Sequence, residues 1–143
     1  MPVVCVGNPT VGGAGKTPVA IALAAALAAR GFRPVFLTRG YGGRLAGPVL
    51  VAPAHSAADV GDEAMLLAER FPTVVSADRA AGGELAATHG DVVVMDDGFQ
   101  NPGLYKDVGL LVIDAVVGLG NGRVPPAGPM RAPLAAHLGR ADA

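Results

Sequence analysis

The sequence predicts an α/β fold: a parallel sheet of short strands in a three-layer arrangement, with helices packed on its faces. Three observations predict it. The apolar run Val3-Val4-Cys5-Val6 leads into a glycine-rich stretch and then into an alanine-rich segment. Further apolar runs recur at 34–38, 73–76, 91–95 and 109–114, separated by helix-patterned segments. Strands alternating with helices read as βαβ units, whose strands lie parallel and are buried on both faces. The composition agrees: 51% of the 143 residues are hydrophobic and 16% charged, enough for one domain with a sizeable core.

Each element follows from its residues. Residues 3–6 read as a buried strand. Residues 16–30 read as a helix whose alanines, with Ile21, Leu23 and Leu27, suit close packing, and Gly31 suits the C′ position. Pro34 to Thr38 reads as the second strand, joined to the first by a right-handed crossover. Val49 to Val51 is a candidate short strand. Residues 62–71 have helical spacing, with acids at the start, where the helix dipole favours them. Thr73 to Ser76 is another strand. Residues 79–89 read as a helix weakened by Gly82-Gly83. Asp91 to Met95 is a buried strand, and so is Gly109 to Asp114. Residues 118–131 are rich in Gly and Pro and aperiodic, a long loop of the kind that is usually functional or disordered. Residues 134–143 have the composition to begin a helix. The organisation expected is a core domain over 1–117, followed by a substrate-site loop and an incomplete continuation over 118–143.

The glycine-rich stretch carries the chemistry. Thr10-Val11-Gly12-Gly13-Ala14-Gly15-Lys16-Thr17 sits between a strand and a helix, the context of a P-loop. Small residues let successive N–H groups surround phosphate oxygens, and the following helix adds its positive end. Lys16 is expected to reach the β/γ-phosphates of ATP, and Thr17 to bind Mg²⁺. The general pattern has glycine where this chain has Thr10, so the backbone there is expected to avoid positive φ. The alternative is a glycine-rich turn with no ligand. At the end of the 91–95 strand stand Asp96 and Asp97, in the form of a Walker B element that completes a Mg²⁺ site. An Asp-Asp-Gly turn with no ligand is the plainer reading. Arg39 to Arg44 place two arginines and three glycines at a strand end, where ligands bind; a solvated loop is the alternative. For Asp62, a helix-capping role and a chemical role stand level.

The net charge of −1 gives no case for nucleic acid or an anionic membrane. The single cysteine, Cys5, is expected to be a small buried hydrophobe, which suits a reducing, cytosolic compartment. No apolar run is long enough to cross a membrane. The chain begins with only Met1-Pro2 before its first strand, so no leader is expected.

Five ordered segments resemble tetraacyldisaccharide 4′-kinase, the lipid A pathway kinase. They are Val6-Gly7-Asn8 with the loop from Thr10 to Pro18; Thr38-Arg39-Gly40-Tyr41-Gly42-Gly43; Val60-Gly61-Asp62-Glu63; Asp96-Asp97-Gly98-Phe99-Gln100; and Gly118 to Arg131. The resemblance covers essentially the whole chain. It implies transfer of the γ-phosphate of ATP to the 4′-hydroxyl of tetraacyldisaccharide 1-phosphate, giving lipid IVA, on the cytoplasmic face of the Gram-negative inner membrane. It implies a Rossmann-like P-loop fold, with ATP and Mg²⁺ as cofactors. Members of the family are longer. They carry a membrane-associated N-terminal helix and a second lobe, and this chain is expected to be the P-loop portion between them, soluble by itself. By resemblance, Asp62 is the catalytic carboxylate, partnered by a histidine of the second lobe. Lys16 and residues 10–17 hold the phosphates, Asp97 lies at Mg²⁺ with Asp96 beside it, and Arg39, Arg79 and Arg131 contact substrate or phosphate. Asn101 stands where the family often has His, and Ala132 where it commonly has Glu. The other functional readings are a non-catalytic or incomplete nucleotide-binding module, and a different P-loop small-molecule kinase or ATPase.

Overall fold

The structure is a computed structural model, and it describes residues 1–13, 15–116 and 118–143. Six strands form one sheet: β1 (Val3–Gly7), β2 (Pro34–Thr38), β3 (Val49–Leu50), β4 (Thr73–Val75), β5 (Val92–Asp96) and β6 (Val108–Leu111). Their order is β3-β4-β2-β5-β1-β6. All pairings are parallel except that of β3 with β4, which is antiparallel at one edge. The helices are α1 (Lys16–Ala28), α2 (Ala57–Val60), α3 (Asp62–Ala68), α4 (Arg79–Ala87) and α5 (Leu134–Leu138).

Alternation along the strands divides the core into two faces. Val3, Cys5, Val35, Leu37, Val93 and Met95 point to one face and pack with Ala86 of α4. Val6, Phe36 and Val94 point to the other and pack with Ala20 and Ala24 of α1 and Leu67 of α3. This is the three-layer α/β arrangement the sequence predicts. Burial pushes the Cys5 thiol up to about 11, in keeping with its place in the core. Phe36 meets Phe71 edge to face, with ring centroids 6.0 Å apart.

The helices end for local reasons. Gly31, at φ 91°, closes α1: its N–H donates to Ala28 O and that of Phe32 to Leu27 O, the paired bonds of a Schellman motif. Gly82 and Gly83 lie inside α4 and are buried. A Cβ at Gly82 would stand 2.7 Å from both Leu37 Cδ1 and Ser76 Cβ, so the glycine serves close packing of α4 on the sheet. The one-turn helix α2 is absent from the sequence reading; Ser56 and Asp59 form its capping box.

Residues 118–143 pack back on the core. Thr10 and Met130 form an antiparallel bridge, Val11 N–H donates to Pro129 O and Arg131 N–H to Pro9 O. At the far end, Leu111 N–H donates to Ala143 O beside β6. The sequence-based boundary at Val117 lies outside the described residues. Among the described residues, no helix is long and apolar enough to cross a membrane.

Candidate functional site

Strands β1 and β5 are neighbours with Val6 opposite Asp96, so the segments leaving their carboxyl ends meet. The glycine-rich loop follows β1, and Asp97 follows β5. Between them and the loop after β2 lies a cleft of about 800 Å³.

The loop's backbone explains its residues. Gly12 and Gly15 take positive φ, 115° and 75°, and Gly15 is the N-cap of α1. Thr10 is not among the residues with positive φ, which is why a β-branched side chain is accommodated there. A Cβ at Gly12, Gly13 or Gly15 would meet nothing within 4 Å, so none of the three is glycine because protein crowds it. Ala14 lies outside the described residues.

Thr17 and Asp96 are bonded to each other: Thr17 Oγ1 donates to Asp96 Oδ2 at 2.9 Å. Asp96 is 1% exposed, and its Oδ1 is buried without a partner. Burial pushes its carboxyl up to about 6; the Thr17 hydrogen bond and the Lys16 charge oppose this, while Glu63 and Asp97 add to it. Asp97 faces a different partner. It sits at φ 56°, a left-handed conformation that Asp tolerates, and forms an ion pair with Arg131, Oδ1 to Nη1 at 3.0 Å. Arg131 Nε also donates to Thr10 O at 3.1 Å, so this one side chain ties the glycine-rich loop to the turn after β5. Gly98 and Phe99 anchor that turn. A Cβ at Gly98 would meet Met95 Cε at 2.4 Å, and Phe99 lies across Gly7 and Gly109.

A hard cation fits this oxygen-only donor set. Thr17 and Asp96 supply oxygens, and the unpartnered Asp96 Oδ1 is the kind of buried acceptor a cation would satisfy. No group of three or more His, Cys, Asp or Glu able to hold a metal occurs among the described residues.

Of the residues expected at the site, Val11, Gly12, Gly13, Lys16, Arg39, Arg79, Asp96, Asp97 and Arg131 line the cleft. Arg79 is 4% exposed at the start of α4. One of its guanidinium N–H groups donates to Ser76 O, and Nε is buried without a partner. Burial and the nearby Arg39 lower its pKa. Asp62 is exposed at the first position of α3, and Gly61, at φ 91°, occupies the N-cap position without a side-chain cap, so Asp62 is a first-turn acid and not the cap. Glu63, not Asp62, lines the cleft. Asn101 Oδ1 accepts from Gly103 N–H at 2.7 Å and so shapes the turn at the cleft's edge. Sequence reasoning assigned no role to Glu63, Gln100 or Asn8, although all three fall inside the quoted motifs.

The chain matches, over residues 1–143, the family model described as tetraacyldisaccharide-1-P 4′-kinase (LpxK). A tetraacyldisaccharide 4′-kinase of Azorhizobium caulinodans is 66% identical over all of this chain and 43% of its own length. One from a Bradyrhizobium species is 63% identical over all of this chain and 42% of its own. A crystal structure of an "apo" form LpxK from Aquifex aeolicus in complex with ATP superposes with a TM-score of 0.85 at 36% identity, covering 99% of this chain and 46% of that one. The chain thus spans a little under half the length of the relatives it matches.

Proposed function

The chain belongs to the tetraacyldisaccharide-1-P 4′-kinase family, and from that premise we propose that it is the nucleotide-binding portion of a kinase that phosphorylates the 4′-hydroxyl of tetraacyldisaccharide 1-phosphate with ATP, giving lipid IVA in lipid A biosynthesis. Residues 1–117 are its core, and residues 118–143 close one wall of the site. The observation that carries this reading is the Thr17–Asp96 hydrogen bond beside Lys16, at the mouth of a strand–loop–helix turn. The ATP bound in the Aquifex aeolicus relative supports the same nucleotide here.

Position at the cleft supports the roles of the loop, the acids at the end of β5 and the arginines, whereas that of Asp62 rests on the family resemblance. N–H groups of the loop over residues 10–17, apart from that of Val11, which is held by Pro129 O, and the α1 N-terminus receive the phosphates. Lys16 places a cation on the β/γ-phosphates. The resemblance sets Asp97 at Mg²⁺ with Asp96 beside it; the bond to Thr17 and the unpartnered Oδ1 favour Asp96 as the nearer ligand, so Thr17, Asp96 and Asp97 would together hold Mg²⁺, which when bound would offset phosphate charge. Arg79, a buried cation with an unpartnered N–H, is suited to a phosphoryl oxygen, and Arg39 and Arg131 add charge at the same cleft. Asp62 accepts the proton of the acceptor hydroxyl as its oxygen bonds to phosphorus, aided by a histidine from the rest of the protein. The enzyme works at the cytoplasmic face of the inner membrane.

A second reading is a nucleotide-binding module that holds ATP without transferring its γ-phosphoryl group, which the exposure of Asp62 outside the cleft favours. Calorimetry of ATP with Mg²⁺ on the 143-residue chain, with Lys16→Ala as control, tests the shared part of both. Binding abolished by the substitution is expected. Equal binding in the variant would remove the P-loop role. Formation of 4′-phosphorylated product by the wild-type chain would remove the second reading.

A further inference from the structure

Asn8 follows the last residue of β1, is 0% exposed, and has no role in the assignments above. Its Nδ2 donates to Thr10 O at 2.8 Å, and at 3.3 Å to both Thr10 Oγ1 and Gly12 O. Two carbonyl oxygens, which can only accept, surround this one atom and identify it as the amide nitrogen. Asn8 Oδ1 is buried without a partner.

The Gly12 carbonyl is therefore turned toward the protein interior. A trans peptide is planar, with its C=O and N–H antiparallel, so the Gly13 N–H points the opposite way, to the side on which Gly12 and Gly13 line the cleft. Gly13 has no positive φ, and a Cβ there would meet nothing within 4 Å. Neither its backbone nor its packing calls for glycine; close approach of a ligand to the peptide does.

We propose that Asn8 is a positioning residue that aims the Gly13 N–H at a phosphoryl oxygen of the bound nucleotide. The inference rests on the nucleotide-binding reading above. Asn8 acts through the Thr10 and Gly12 carbonyls and touches no ligand itself. Without its donors the Gly12 carbonyl turns outward, Thr10 O being still held by Arg131 Nε, and the loop presents an acceptor where phosphate needs a donor.

The test is ATP binding with Mg²⁺ to the 143-residue chain, read by calorimetry and by the amide resonance of Gly13. In the wild type the Gly13 resonance moves downfield on adding ATP. Asn8→Ala, which removes the amide, and Asn8→Asp, which keeps its volume but replaces the donor with an acceptor, are each expected to weaken ATP at least tenfold and to abolish the Gly13 shift. Binding within twofold of wild type in either folded variant, with the Gly13 shift intact, would overturn the proposal. So would loss of the folded state in both variants, which would make Asn8 a support of the core. A wild-type chain that ignores ATP would sink the nucleotide reading itself, whereas binding that depends on Lys16 and not on Asn8 would sink only the role of Asn8.

Discussion

Thr17 Oγ1 and Asp96 Oδ2 lie 2.9 Å apart, joining the first turn of α1 to the last residue of β5. The bond leaves one buried carboxylate oxygen unmatched and raises a question of protonation. In the metal-free chain the Asp96 carboxyl is pushed up from 3.8 to about 6. The folded state then binds more protons at this group than the unfolded state does between these values, so the contribution of Asp96 to stability falls as pH rises from about 4 to about 6 and is level above. By the ordinary conversion the ionised group costs about 3 kcal/mol. Asp96→Asn is expected to raise the stability of the metal-free chain at pH 7.5 by about 1–3 kcal/mol, with the gain gone by pH 4. Urea unfolding at the two pH values checks it, and a destabilised variant at pH 7.5 would contradict it.

Arg131 holds Thr10 O and Asp97 at once. Lysine has no fork to do both. The pair is partly exposed, at 26% and 37%, so Arg131→Lys is expected to cost at most about 1 kcal/mol. A thermal melt should fall by only about 2–5 °C. ATP affinity should fall about three- to tenfold, because the loop loses its tie to the turn after β5. A calorimetric Kd equal to wild type would separate the ion pair from nucleotide binding.

Gly61 and Gly42 both have positive φ, 91° and 82°, but differ in surroundings. A Cβ at Gly61 would lie 2.4 Å from Tyr41 O, and one at Gly42 would meet nothing within 4 Å. Gly42→Ala is expected to cost about 1–2 kcal/mol, from backbone strain alone. Gly61→Ala is expected to cost about 2–4 kcal/mol, since it adds a clash with backbone that cannot swing away. Denaturant midpoints of the two variants measure the difference; equal losses would mean that the loop shifts freely.

Asp62 is exposed and does not line the cleft, so Asp62→Ala is expected to leave the Kd for ATP with Mg²⁺ within about threefold of wild type. Its loss from the first turn of α3 should cost about 0.3–1 kcal/mol. A tenfold weaker Kd by calorimetry would assign Asp62 to nucleotide binding.

Much of the layered fold was legible because its signals are local. The run Val92 to Met95 has no polar break, and a strand buried on both faces is the economical reading of it. Gly31 announced the end of α1, since few other residues accept its φ. The direction of β3 was not legible, because two residues carry no orientation. The local pattern could not separate Asp96 from Asp97, which stand side by side; only the family resemblance set Asp97 at Mg²⁺ with Asp96 beside it. The pleat decides, sending Asp96 toward Thr17 while the chain turns left-handed at Asp97 toward Arg131. The contact between Thr10 and Met130 was hidden for another reason. An aperiodic loop shows no pairing pattern until its partner is in place.

The neighbouring positions of β1 and β5 have a kinetic consequence. Val6 lies opposite Asp96, so the two sides of the cleft are remote in the chain and adjacent in the sheet. Parallel pairing at such separation is high in contact order and slow to form. During synthesis the glycine-rich loop leaves the ribosome long before the strand that completes its pocket. Under the nucleotide-binding proposal, nucleotide is therefore a ligand only of chains in which β1 and β5 have already paired, so its binding reports on that pairing.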